Sequence, residues 1–140
     1  MLRPTVLLCA VLALAAAGAA CGSDNPDTGT TPTPILPTTE QFSGDGLNPN
    51  GARVHPFAVL AAGTVSATLT ALDPDNGVTL GLALGTWNGA ACAVTIANDA
   101  AITGTAVVGT ASAAGNLCVR LYDQGNLTAP VSYLVTVTHF

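Results

Sequence analysis

The sequence predicts an all-β protein: an antiparallel β-sandwich of seven or eight strands, jelly-roll-like, preceded by an N-terminal export signal and a disordered tether. Three observations predict it. From residue 39 onward, apolar and polar letters alternate in short runs, the period of strands with one face on a core and the other in water. Turn letters stand between the runs, at Asp45-Gly46, Asn48-Pro49-Asn50-Gly51, Ala62-Gly63, residues 73–77 (DPDNG), Asn88-Gly89 and Gln124-Gly125. No helical period is sustained over a useful length, and strands at this spacing across about a hundred residues form a sandwich or barrel.

The first element is the signal, residues 1–20. Arg3 is followed by twelve apolar letters at residues 6–17 and then by Gly18-Ala19-Ala20-Cys21. One positive charge, an apolar core and small residues make a secretory signal peptide. Residues 6–21 are too short for a membrane span, which needs roughly twenty residues. Residues 18–21 resemble the bacterial lipoprotein lipobox, whose Cys carries diacylglycerol and becomes the first mature residue. Gly18 stands where that motif usually has Leu, and cleavage nearby at Ala17-Gly18-Ala19 is the alternative. Cysteine arithmetic points to lipidation. Cys9 leaves with the signal, and acylating Cys21 removes the odd thiol and leaves the pair Cys92 and Cys118. The expected partner at this end is therefore a membrane, and the expected location is the bacterial cell envelope, at the outer membrane or cell surface if the cell is Gram-negative.

Residues 21–38 hold the lipidated Cys and a Thr/Pro-rich linker. Residues 22–38 contain four prolines and only two aliphatics, Ile35 and Leu36, too few for a core. Extended, polyproline-like chain is expected, with a reach on the order of 50 Å.

Residues 39–140 are the sandwich domain. Pro56 lies inside the run at residues 54–60, which places that strand at an edge or starts it late. Residues 64–71 set Val65, Ala67, Leu69 and Ala71 on one face, and residues 78–84 set Val78, Leu80, Leu82 and Leu84 together. Leu117, Val119 and Leu121 alternate with Cys118, Arg120 and Tyr122, and Val131, Tyr133, Val135 and Val137 point inward. Threonine, suited to a pleated surface, supplies the outer faces. The alanines of residues 97–114 fit either a strand or a short helix. Cys92 and Cys118 are expected to form a disulfide. Strict alternation turns Cys118 outward but groups Cys92 with inward Val94 and Ile96, so either the chain after Asn88-Gly89 is irregular or the bridge lies on the rim.

Composition excludes whole classes. Charged letters are 8% of the 140 residues, with three arginines, no lysine and a net charge of −5. Nucleic-acid binding needs clustered Lys and Arg, so nucleic acid is not an expected partner. With 49% hydrophobic letters, the chain as a whole has enough apolar surface to fold.

Three stretches carry a family resemblance: His55-Pro56-Phe57-Ala58-Val59 with Ala62-Gly63-Thr64-Val65, then residues 115–123 (GNLCVRLYD), then residues 130–137 (PVSYLVTV). They are similar to the bacterial pre-peptidase C-terminal domain family. There, an aromatic-x-aliphatic strand leads to a Gly turn and a Tyr-containing strand closes the domain. The resemblance implies a β-sandwich module linked to secretion, surface attachment or substrate binding. The chain departs from the family in lacking a peptidase domain and in its two cysteines, and no functional residue carries over.

Chemistry-bearing residues are few. His55 and His139 lie in different strands without a ligand-spaced partner, and a hydrogen-bonded histidine at the core edge is expected for His55. Asp73 and Asp75 offer carboxylates two residues apart, the weak metal candidates, but the run is one residue short of an EF-hand loop and suits a tight turn. Trp87 and Asn88, on a hairpin tip, are the candidate ligand-binding pair, able to stack on a sugar ring or to fold back over the sheet. Asp99 and Asp123 make an acid–base pair only if the fold brings them together. Asn126 opens a glycosylation sequon that has little meaning in a bacterial lipoprotein. No nucleophile elbow, metalloprotease helix or phosphate loop occurs. A non-enzymatic structural or interaction module without a cofactor is expected, its partner an envelope protein or glycan. The alternative is a carbohydrate- or polymer-binding module acting through Trp87.

Overall fold

The computed structural model describes residues 33–140. The expected signal peptide, Cys21 and most of the tether lie outside the described residues. Among those described there is no helix. Eight strands follow one another: β1 (Thr38–Leu47), β2 (Ala52–Val59), β3 (Gly63–Asp73), β4 (Leu80–Trp87), β5 (Cys92–Ala101), β6 (Ala106–Ala111), β7 (Gly115–Tyr122) and β8 (Val131–His139). They form two antiparallel sheets, ordered β1-β8-β3-β6 and β2-β7-β4-β5. Two four-stranded sheets with this order are the jelly roll, two Greek keys folded on each other.

Alternation places the core. Leu80, Leu82 and Leu84 of β4, Val119 and Leu121 of β7, Val65, Ala67 and Leu69 of β3, and Tyr133, Val135 and Val137 of β8 are buried between the sheets. Val78 precedes β4 and packs against the same core. Each fully buried aliphatic side chain contributes roughly 1.5–3 kcal/mol before entropy is counted. Pro56 sits in β2, an edge strand of the second sheet, where a missing N–H costs no ladder bond.

Several expectations are corrected. Ala71 is exposed and Leu72 is buried in its place, because the pairing of β3 with β8 shifts between Leu69 and Ala71. The extra residue, Thr70, reverses the phase. Asp45-Gly46 is not a turn between strands but an irregularity within β1, where its register with β8 slips between Gly44 and Leu47. Gly44 is needed there, since a Cβ would come within 2.6 Å of the Tyr133 ring. Val94, 42% exposed, is turned outward rather than inward, whereas Ile96 keeps the inward phase opposite Leu84 but is 41% exposed at the edge of the core. Residues 97–114, open between strand and helix, hold the end of β5 and all of β6.

Turn chemistry closes the loops. Gly51 N–H donates to Asn48 C=O at 2.8 Å, with Asn50 in the left-handed region at φ 57°. The loop before β6 is held on β3, Gly104 N–H donating to Leu69 C=O at 2.7 Å and Leu69 N–H to Thr105 C=O at 3.0 Å.

Candidate functional site

The two open sides of the sandwich are built differently. Along the β1–β2 side stands a run of rings: Phe42 stacks on His55 with centroids 5.1 Å apart, Phe42 meets Phe57 at 6.3 Å, and Phe57 meets His139 at 5.2 Å. His55 Nε2 and the Tyr133 hydroxyl share a hydrogen bond of 2.7 Å. Burial pushes the His55 imidazole below its usual range, with the positive charge of Arg53 adding to the effect, and burial pushes the Tyr133 hydroxyl up. Buried His139 holds Glu40 at 2.8 Å. Strand alternation explains the grouping, because Glu40 and Phe42 of β1, His55 and Phe57 of β2, and Tyr133 and His139 of β8 all fall on inward phases.

The β5–β6 side has no such plug. Here an apolar recess of about 200 Å³ opens between the sheets, walled by Val65, Leu84, Ile96 and Leu117. Its cause is Gly109. In β6 the inward phase reads Val107, Gly109, Ala111, and the middle position has no side chain. A Cβ placed there would sit 3.8 Å from both Ile96 and Leu84, ordinary contact distance. On the two flanking strands and the loop that joins them, Val94, Ile96, Ile102 and Val108 are 41–52% exposed, and of these Ile96 lines the recess. The site is therefore an uncharged, mainly apolar opening, with Thr86, Thr95 and Thr110 also in its wall, flanked by two sheet edges and suited to receive an apolar side chain.

The outer face of the second sheet is bridged across its central strand. Cys92 of β5 is bonded to Cys118 of β7, with Cα atoms 5.8 Å apart, although β4 lies between those strands. Two features allow it. β5 carries one extra residue, Thr95, between the pairs Leu84↔Ile96 and Gly85↔Val94. That bulge reverses its phase and brings Cys92 to the outward side where Cys118 stands, so the irregular alternative holds. Gly85 then lets β5 ride close over β4, since a Cβ there would lie 2.3 Å from the Ala93 carbonyl oxygen. Tyr122 likewise covers Gly81 and donates its hydroxyl to Asp99 of β5. That hydrogen bond pushes the Tyr122 hydroxyl above its usual range, burial and the Asp99 charge adding to it. Arg120 lies 5.0 Å over the Tyr122 ring. Covered this way, β4 is buried on both faces from Leu80 to Gly85.

The remaining sequence candidates are scattered. Trp87, half-buried, ends β4 opposite Cys92. The Asn88 side-chain oxygen accepts N–H groups from Ala90 at 2.9 Å and Ala91 at 2.8 Å, so it is committed to the turn. Asp73 ends β3, and Asp75 accepts the Gly77 N–H at 3.4 Å. No group of three or more His, Cys, Asp or Glu is placed to share a metal ion among the described residues. Asp99 and Asp123 are not brought together: one accepts from Tyr122, the other from backbone N–H groups. The Asn126 amide donates to Thr79.

Gly109 escaped the sequence, although a glycine on the inward phase between Val107 and Ala111 was the available signal. Neither a scan against family models nor a search of curated proteins finds a match for this chain.

Proposed function

We propose that the chain is a lipid-anchored module of the bacterial cell envelope, held through Cys21 and the stalk after it, whose sandwich serves a non-enzymatic interaction role. The observation that carries the role is the one-sided closure of the sandwich. Rings fill the β1–β2 side, while the β5–β6 side keeps an apolar recess, and β5, β6 and the loop between them carry four exposed aliphatic side chains. Exposed apolar groups concentrated along one edge of a small domain, beside an open apolar recess, mark a contact surface.

The anchor rests on residues 1–21. The kinship with pre-peptidase C-terminal domains belongs to the same proposal, and its three stretches fall in β2 and β3, in β7, and in β8.

The interaction role is tested by crosslinking in envelope fractions, comparing the chain with Gly109→Leu, which fills the recess. A crosslinked species lost in Gly109→Leu is the expected result, and equal crosslinking by both forms overturns it. Mass spectrometry of the mature protein tests the anchor. Acyl mass on Cys21 is expected, and an unmodified protein free in the soluble fraction overturns it.

A further inference from the structure

The four sheet edges are not alike. β1 carries its register shift between Gly44 and Leu47, β2 holds Pro56, and the pairing of β5 is interrupted twice. Bulges and prolines are devices that stop a sheet edge from pairing with another chain. β6 has neither. It pairs residue for residue with β3, from Gly63↔Ala111 to Thr68↔Ala106, and its letters AVVGTA contain no charge and no proline. Among the described residues no strand pairs with its other side.

We infer that β6 docks on β6 of a second copy of this chain, antiparallel about a two-fold axis, joining the two first sheets into one of eight strands. The inference deepens the interaction role proposed above and rests on it.

Charge singles out a second copy. The chain carries a net −5, so two copies repel over most of their surface. Residues 100–119 contain no charged side chain, and there two copies meet without setting like charges opposite one another. A two-fold contact also needs a self-complementary surface. On the outer face, Val108, 52% exposed, gains an apolar neighbour from the other copy. On the inner face, strand alternation carries the other copy's core-facing side chains over the recess beside Ile96. The same contact forms reciprocally, so both recesses are covered at once.

Sedimentation equilibrium of the full chain, purified as Cys21→Ser so that no acyl chain aggregates it, tests this across a wide concentration range. The expected mass rises to twice that of the monomer. Val108→Lys sets two positive charges near the axis and returns the mass to that of the monomer, with an unchanged Tm at low concentration because the side chain is exposed. Leu60→Lys, at a 70% exposed position outside β6, leaves the dimer intact. A monomer mass at every concentration, or a dimer that survives Val108→Lys, overturns the inference. In either case, envelope crosslinking that still depends on Gly109 keeps the interaction role with a different partner, and its loss removes both.

Discussion

The Asp123 carboxylate accepts the backbone N–H of Asn50 at 2.7 Å, tying the turn between β1 and β2 to the loop after β7 across 73 residues of sequence. It also accepts Asn126 N–H at 2.9 Å and Leu127 N–H at 3.1 Å. Burial pushes this carboxyl up, but the N–H groups of Asn50, Asn126, Leu127 and Gly125 together outweigh it and hold the group below its ordinary 3.8. Because the folded-state value is depressed, the stabilisation is complete above that ordinary value and is lost as pH falls from there through the lower folded-state value. Asp123→Ala leaves the buried Leu127 N–H and the part-buried N–H groups of Asn50 and Asn126 without their acceptor and is expected to cost about 2 kcal/mol, a fall in Tm of roughly 10 °C. Thermal melts from pH 6 to pH 2 should show a shallower acid slope in the variant. An unchanged slope would sink the assignment.

Two glycines predict opposite outcomes for one substitution. Gly85→Ala drives a methyl group against the Ala93 carbonyl, 2.3 Å away, and β5 must shift, a loss of about 3 kcal/mol. Gly109→Ala places its methyl at 3.8 Å from Leu84 and Ile96 and restricts the unfolded chain, a gain of about 0.5–1 kcal/mol. Urea unfolding of both variants checks the contrast, which fails if the two shift in the same direction.

The disulfide closes a sequence separation of 26 residues, worth about 3 kcal/mol in the chain-entropy account. Replacing both Cys92 and Cys118 by Ser should lower stability by that amount. Hydrogen exchange should rise at the start of β5, which the bridge holds over β4, and stay unchanged in β7, which has ladders on both sides. Equal acceleration in both strands would mean that the bridge does not pin β5.

His55, one of two histidines on the plugged side, predicts a second pH window. His55 is held below its ordinary 6.5, so between that value and its folded-state value the unfolded chain binds more protons. Stability is therefore full above pH 6.5 and declines as pH falls through it. His55→Gln loses the stack on Phe42 and starts from a lower Tm, but its melts between pH 8 and pH 5 should slope less. A slope matching that of the unsubstituted chain places the titration elsewhere.

Alternation made the framework legible: the apolar phases of β4, β7 and β8 read directly as buried faces, and Pro56 marked an edge. What stayed hidden was every bulge. Thr70 and Thr95 each insert one residue into a ladder, and nothing in a threonine announces that it will be the extra one, because the insertion is decided by the partner strand. That concealed both the burial of Leu72 and the way Cys92 meets Cys118. Asp45-Gly46 carries turn letters, yet the Tyr133 ring, not a chain reversal, is what needs a neighbouring glycine. The recess was illegible for a related reason. The space beside Gly109 is defined by Leu84 and Ile96 from the opposite sheet, which no local pattern connects to it.

The placement of β1 and β6 at opposite edges of one sheet has a mechanical consequence. The chain enters the sandwich at Thr38, where β1 lies against the end of β8. A pull on that entry point, resisted at β6, travels through β8 and β3 from strand to strand. Such a load acts across the ladders and opens them by peeling, pair by pair, beginning with Thr38 and His139. The second sheet, with its covalent crosslink, stands outside that line of force. Under tension applied at Thr38 the first strand to yield is β1.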